Sequence, residues 1–254
     1  MDTNRIFAGV DLAAGKRKLT VALLSGRLDV RSVKDRTPAE AAEELASFGE
    51  ITVAVGGPLR GRRSEAAGAD ALGETLRSGK VRRARAAETE LARRGIPVRR
   101  TPALESAAPA WMRAGFRLAA ELARRGFAAG GQEREPPRAV LETHPTACAA
   151  VLLGRLPFGR ETLEGRIQRQ LALLREKVAL PDPMEALEEI TAHHLLSGRL
   201  SLEGVCRAEE LDALLAAYAA WRSWSSPESA VWLGDEADGW ICLPAKGLLE
   251  KYSK

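Results

Sequence analysis

The sequence predicts an α/β fold built on a mixed β-sheet, and three observations lead there. Apolar runs at Arg5–Leu12 and Leu19–Leu24 and a third strand expected at Asp29–Val33 are separated by short turns, as in an antiparallel meander. Thr37-Pro38-Ala39-Glu40 then opens a helix: a capping hydroxyl, proline at the first helical position and a glutamate three residues after the cap. That helix runs to about Phe48, and the short apolar strand Ile51–Val55 comes after it, closing on Gly56-Gly57-Pro58. Three hairpin strands, a helix and a returning strand imply a sheet with both parallel and antiparallel neighbours.

Residues after Pro58 are polar and glycine-rich and read as a loop. Helices are expected at Ala84–Arg94 and Leu104–Arg125, with a turn at Gly95-Ile96-Pro97 and a loop over Gly126–Pro137. Arg138–Glu142 reads as another strand, closed by Pro145. Helices at Arg160–Val178, Met184–Leu196 and Ala208–Trp224 come next, and Ala230–Leu233 pairs with Trp240–Leu243 as a terminal hairpin. No repeat and no linker interrupts the 254 residues. The expectation is one domain over residues 1–254, with a helical elaboration over about 155–205 and a hairpin over about 230–243.

Composition narrows the function. At 45% hydrophobic and 28% charged, the chain is globular rather than disordered. No apolar run approaches the ~20 residues of a membrane span, and Asp11 and Lys16 break the layout of a signal peptide. The three cysteines, Cys148, Cys206 and Cys242, lie far apart with no CxxC, so a cytoplasmic, reduced, zinc-free protein with no membrane partner is expected. Formal net charge is +4, and it is uneven: Arg77–Arg100 carries nine basic residues against Glu88 and Glu90. Such a patch suits nucleic acid or another phosphate-bearing ligand, with Arg83, Arg85, Arg93, Arg94 and Arg100 as the contacting residues. Its plainer reading is a solvated helix and loop, in which Glu90 and Arg94 make an ordinary i,i+4 pair.

Several acids fall where elements begin or end. Asp11 closes the first strand and Glu142 the late one, while Glu209 and Asp212 share one face of the last long helix. That helix is apolar almost all round, which implies burial on two sides and places its first turn over the sheet. A plainer reading is that acids in a first turn complement the positive helix terminus and that strand-end aspartates serve turns. His193-His194 are adjacent and cannot face one metal from a helix; His144, beside Glu142, reads either as an orienting group or general base or as a structural strand-end histidine. Neither G-x-S-x-G nor GxxxxGK[ST] occurs, which removes the usual serine-hydrolase elbow and P-loop.

Five segments carry a resemblance: Gly9–Leu12 (GVDL), Val55–Leu59 (VGGPL), Arg83–Val98 (RARAAETELARRGIPV), Leu141–Ala147 (LETHPTA) and Glu210–Trp221 (ELDALLAAYAAW). With the element order they resemble the ribonuclease H-like fold, and more narrowly the "domain of unknown function four-two-nine" family of predicted nucleases. The resemblance implies a central five-stranded mixed sheet with helices on both faces, and phosphodiester cleavage with Mg²⁺ or Mn²⁺. It makes Asp11 the central metal ligand, Glu142 and Asp212 its partners, and Glu209 peripheral. It also implies an aspartate just after the short strand, where this chain has Gly56. A catalytically silent binding protein is one alternative. Another is an actin-like ATPase, in which Asp11, Gly15 and Lys16 would cradle phosphate.

Overall fold

Side chains alternate across each strand, so a sheet covered on both faces needs strands that are apolar throughout. The computed structural model describes residues 4–12, 18–62, 84–131, 136–188, 190–198 and 202–254. Its strands are β1 (Ile6–Asp11), β2 (Leu19–Leu24), β3 (Val30–Arg36), β4 (Ile51–Val55), β5 (Ala128–Ala129), β6 (Arg138–Thr143), β7 (Val231–Asp235) and β8 (Gly239–Leu243). They form one mixed sheet in the order β3-β2-β1-β4-β6-β8-β7, with β5 on β6 as well. β1, β4, β6 and β8 run parallel; β2, β3 and β7 pair antiparallel with their neighbours.

The expected five-stranded sheet is thus corrected to one of eight strands among the described residues. β1 does sit between β2 and β4, and β6 does join beyond β4. The far edge of β6 accounts for the difference. Left open it would bury unpaired backbone groups, and β5 and β8 pair with it, at Ala139–Val140 and Glu142–Thr143 respectively. The Thr143 hydroxyl donates to the Cys242 carbonyl at 2.7 Å and fastens β8 there. A lone hairpin such as β7–β8 is marginal in water and needs such a sheet to extend.

The helices are α1 (Pro38–Ala46), α2 (Ala86–Arg93), α3 (Ala110–Arg124), α4 (Pro145–Leu153), α5 (Leu163–Arg175), α6 (Pro183–Glu188), α7 (Ala192–Leu196) and α8 (Ala208–Ser225). α1 starts as the sequence dictates: Glu40 N–H donates to the Thr37 hydroxyl, and Thr37 N–H donates to the Glu40 carboxylate. The helix expected from Leu104 begins only after Pro109, behind a short 3₁₀ turn at Glu105–Ala107. The one expected over Met184–Leu196 is two, because Thr191 caps α7 afresh. Pro145, expected only to close a strand, opens α4. Among the described residues no helix is long and apolar enough to cross a membrane.

Two apolar layers sandwich the sheet. Phe7, Leu24 and Leu141 pack with Leu211, Leu214 and Leu215 of α8; Val10, Leu23 and Val53 pack with Leu45 of α1 and Leu118 and Leu122 of α3. α8 lies directly on β1. A Cβ on Gly9 would stand 1.9 Å from the Ala213 carbonyl oxygen and 2.2 Å from the Ala217 nitrogen. Only glycine on the strand and alanines on the helix allow that approach.

Candidate functional site

Because β1, β4 and β6 are parallel, their carboxyl ends finish along one edge, the place where open α/β sheets bind ligands. A cavity of about 370 Å³ opens there, its walls including Asp11, Gly56, Glu142, His144, Arg160 and Asp212. The N-terminal turn of α8 stands over the end of β1, which brings Asp212 to Asp11.

Alternation decides which acid meets which. Phe7 faces α8 and Val10 faces α1 and α3, so Asp11, in step with Phe7 and Gly9, leaves towards α8. On β6, Leu141 faces α8 and Val140 the other side, so Glu142 leaves from the face opposite Asp11. All three acids border the cavity, yet they belong to two separate groups.

Asp11 and Asp212 form the first group, each about 4% exposed or less. Arg160, from the turn before α5, reaches both: its Nη2 lies 3.5 Å from Asp11 Oδ2 and its Nε 3.3 Å from Asp212 Oδ2. Arg169 Nε lies 3.6 Å from Asp212 Oδ1. These contacts attract through charge without reaching hydrogen-bond geometry, and Asp11 Oδ2, Asp212 Oδ1, Arg160 Nε and Arg169 Nε are all buried without a hydrogen-bond partner. Burial and then the Asp212 charge raise the Asp11 pKa to about 7, against the pull of Arg160. Burial also raises that of Asp212, while Arg160 and Arg169 oppose the rise. Glu209, half-buried one turn earlier on α8, adds negative charge felt by both.

Glu142 forms the second group with Arg85. Arg85 Nη1 donates to Glu142 Oε1 at 2.7 Å and Nη2 to Oε2 at 3.0 Å, a two-pronged buried pair. The Leu59 N–H adds a third bond at 3.3 Å. Burial raises the Glu142 pKa, with Arg85 opposing; burial works against the charge of Arg85, and Glu142, aided by Glu88 and Asp238, more than offsets it. Glu88 ties this pair to its surroundings, accepting from Arg85 N–H and from Thr101.

His144 links the two elements. As the N-cap of α4 its Nδ1 accepts the Ala147 N–H at 3.1 Å, which leaves the ring proton on Nε2. Desolvation lowers its pKa to about 4, so the ring is neutral near pH 7.

The basic segment is arranged differently from the sequence expectation. Arg85 is 1% exposed and points inward to Glu142, which withdraws it from any surface groove. Arg93 and Arg94 both pair with Glu90, and Arg94 also donates to the Leu249 carbonyl, clamping the C-terminal segment. Arg100 is exposed, Arg99 stands exposed at the cavity wall, and Arg83 lies outside the described residues. Sequence reasoning missed Arg160, Arg169 and Arg99 as site residues; the only available signal was that buried carboxylates require cations.

Oxygen donors from Asp11 and Asp212, each with one oxygen that accepts no hydrogen bond and meets only a long arginine contact, fit a hard divalent cation such as Mg²⁺ or Mn²⁺. Among the described residues no three His, Cys, Asp or Glu side chains are grouped to hold a metal ion. Such an ion would have two carboxylates here, a number that suits Mg²⁺ with water or phosphate completing its shell. Glu142, engaged on both oxygens by Arg85, is outside that donor set.

No curated protein and no solved structure matches the chain. A family model described as a protein of unknown function, DUF429, matches residues 9–238, from within β1 to the β7–β8 turn. That span holds both carboxylates, Arg160 and the Arg85–Glu142 pair. The chain belongs to the DUF429 family.

Proposed function

We propose that the protein is a metal-dependent nuclease, hydrolysing phosphodiester bonds of nucleic acid at the Asp11–Asp212 pair. The carrying observation is the meeting of two buried carboxylates, each with an oxygen that accepts no hydrogen bond, on the wall of a cavity at the carboxyl ends of parallel strands. The strand order supports the reading. Taken without β5, β7 and β8, the series β3-β2-β1-β4-β6 has only β2 reversed against its neighbours, the order expected of a ribonuclease H-like core.

In this reading Asp11 and Asp212 hold Mg²⁺ or Mn²⁺, with Glu209 shaping the field around them. A bound divalent ion activates water and neutralises the leaving oxygen of a phosphodiester. The chain's other residues bind and orient: Arg99 meets phosphate at the rim, and neutral His144 offers its Nε2–H from the cavity wall. Single- and double-stranded DNA and RNA, incubated with Mg²⁺ or Mn²⁺, test this. Cleavage abolished by Asp11→Asn is expected, since asparagine keeps the shape and removes the charge. Intact substrates throughout overturn it.

Gly56 favours a second reading, a binding protein without catalysis. A Cβ there would stand 2.9 Å from Pro145 Cγ and 3.1 Å from the Val10 carbonyl oxygen. The corner where the resemblance implies an aspartate is filled by the proline ring, so a carboxylate there would require α4 to shift. Salt-sensitive binding of nucleic acid without cleavage selects this reading. For the ATPase alternative, Gly15 and Lys16 lie outside the described residues.

A further inference from the structure

We infer that Arg160 is a resident cation of the carboxylate pair, which yields its place to the divalent ion and then binds the phosphate of the nucleic acid. The inference rests on the metal-dependent reading above and adds the residue that couples ion entry to substrate binding.

The two arginines at the pair are held very differently. Arg169 is 1% exposed, and its Nη1 donates to the carbonyls of Phe158 (3.1 Å) and Gly165 (3.0 Å). The loop before α5 folds back on that helix so closely that a Cβ on Gly165 would lie 1.9 Å from the Gly159 carbonyl oxygen. Arg169 is therefore built in. Arg160 has a side chain 33% exposed, and its ion pairs are all with carboxylates: Asp11, Asp212 and its neighbour Glu161. Its guanidinium lies along both aspartates yet leaves Asp11 Oδ2, Asp212 Oδ1 and its own Nε unsatisfied. A guanidinium normally takes a carboxylate in a two-pronged bond, as Arg85 does with Glu142 at 2.7 and 3.0 Å. The pair is thus neutralised in charge but not in hydrogen bonding.

Charge balance decides the outcome of ion entry. A divalent ion and Arg169 together match Asp11, Asp212 and the nearby Glu209, which leaves Arg160 with Glu161 as its remaining counter-charge. Arg160 sits on a turn, one-third exposed, and Glu161 offers it a resting place 3.2 Å away. A guanidinium released from the aspartates onto the wall of the cavity is a ready fork for a phosphodiester oxygen.

The handover predicts opposite effects from one substitution. Mn²⁺ is titrated into wild type, Arg160→Gln, Arg160→Lys and Asp212→Asn, with the paramagnetic resonance of the free ion as the readout. Binding of a short fluorescent single-stranded DNA is then measured with Ca²⁺ in place of Mn²⁺. Arg160→Gln should bind Mn²⁺ about tenfold tighter, equivalent to ~1.4 kcal/mol, because no cation competes. The same variant should bind the DNA about tenfold more weakly, since its phosphate contact is gone. Arg160→Lys, which keeps the charge, should stay near wild type in ion affinity and shows that the turn tolerates replacement. Equal or weaker Mn²⁺ binding by Arg160→Gln overturns the handover while leaving the ion site standing. Tighter ion binding with unchanged DNA binding also overturns it. If no form binds Mn²⁺, Asp212→Asn included, the metal-dependent reading itself is lost.

Discussion

Gly9 on β1 and Ala213 on α8 touch backbone to backbone: a Cβ on Gly9 would stand 1.9 Å from the Ala213 carbonyl oxygen. This contact sets the height of the helix above the sheet. It therefore fixes how near Asp212, one residue before Ala213, comes to Asp11, two residues after Gly9. Fold and candidate site depend on the same missing side chain.

Replacing Gly9 by alanine should force α8 off β1. Overpacking a filled core costs roughly 1–3 kcal/mol, occasionally more, and this site has only backbone to push against. Urea unfolding should show a loss at or above the top of that range. A loss under about 1 kcal/mol would mean that the helix gives way freely and does not position Asp212.

The Arg85–Glu142 pair should behave as structure. Removing one partner of a buried ion pair leaves a bare charge and costs about 3–5 kcal/mol, whereas replacing both by apolar residues is often neutral. Arg85→Ala and Glu142→Ala should each destabilise on that scale, and Arg85→Met with Glu142→Leu should recover most of it. A double variant as unstable as the sum of the singles would contradict the assignment.

The Asp11 carboxyl makes stability depend on pH. Burial and Asp212 lift its pKa from 3.8 to about 7, so between those values the native protein keeps a proton that the unfolded chain has released. Stability contributed by this group is present at low pH and falls as pH rises through that window. In metal-free buffer Asp11→Asn should be more stable than wild type above about pH 7, with the gap closing towards about pH 4. Unfolding midpoints across that range measure it, and a gap that does not change with pH counts against a buried, proton-holding Asp11.

Within the basic segment, nucleic-acid affinity should rest on Arg99 and Arg100 rather than on Arg85, Arg93 and Arg94, which already have carboxylate partners. Each alanine substitution there should lower the salt dependence of binding by about one counterion. Arg93→Ala, which removes a partner of Glu90, should leave it unchanged. Binding isotherms at several salt concentrations distinguish the two sets.

Much of this fold was legible because local signals agreed with one another. The Thr37–Glu40 capping box, the apolar strands and the apolar helix from Ala208 each specify their element without distant help. The strand count was not legible, since nothing within the β7–β8 hairpin names the edge on which it docks. Helix breaks at Pro109 and Thr191 were readable from residue type, but periodicity masked them. Asp11 and Asp212 were found by position at element ends. The same rule grouped Glu142 with them, because an acid at a strand end reveals its sheet face only once the register against neighbouring strands is known. Arg85 read as surface charge for a related reason: a basic run shows which residues carry charge and not which of them turn inward.

The most direct measurement is a crystal soaked with Mn²⁺ and read by the anomalous signal of the ion. We expect a peak shared by Asp11 and Asp212, Arg160 swung away from both, and Glu142 still held by Arg85. A well-ordered site without a peak, or an ion seated on Glu142 with Arg160 unmoved, would contradict an ion site at the Asp11–Asp212 pair.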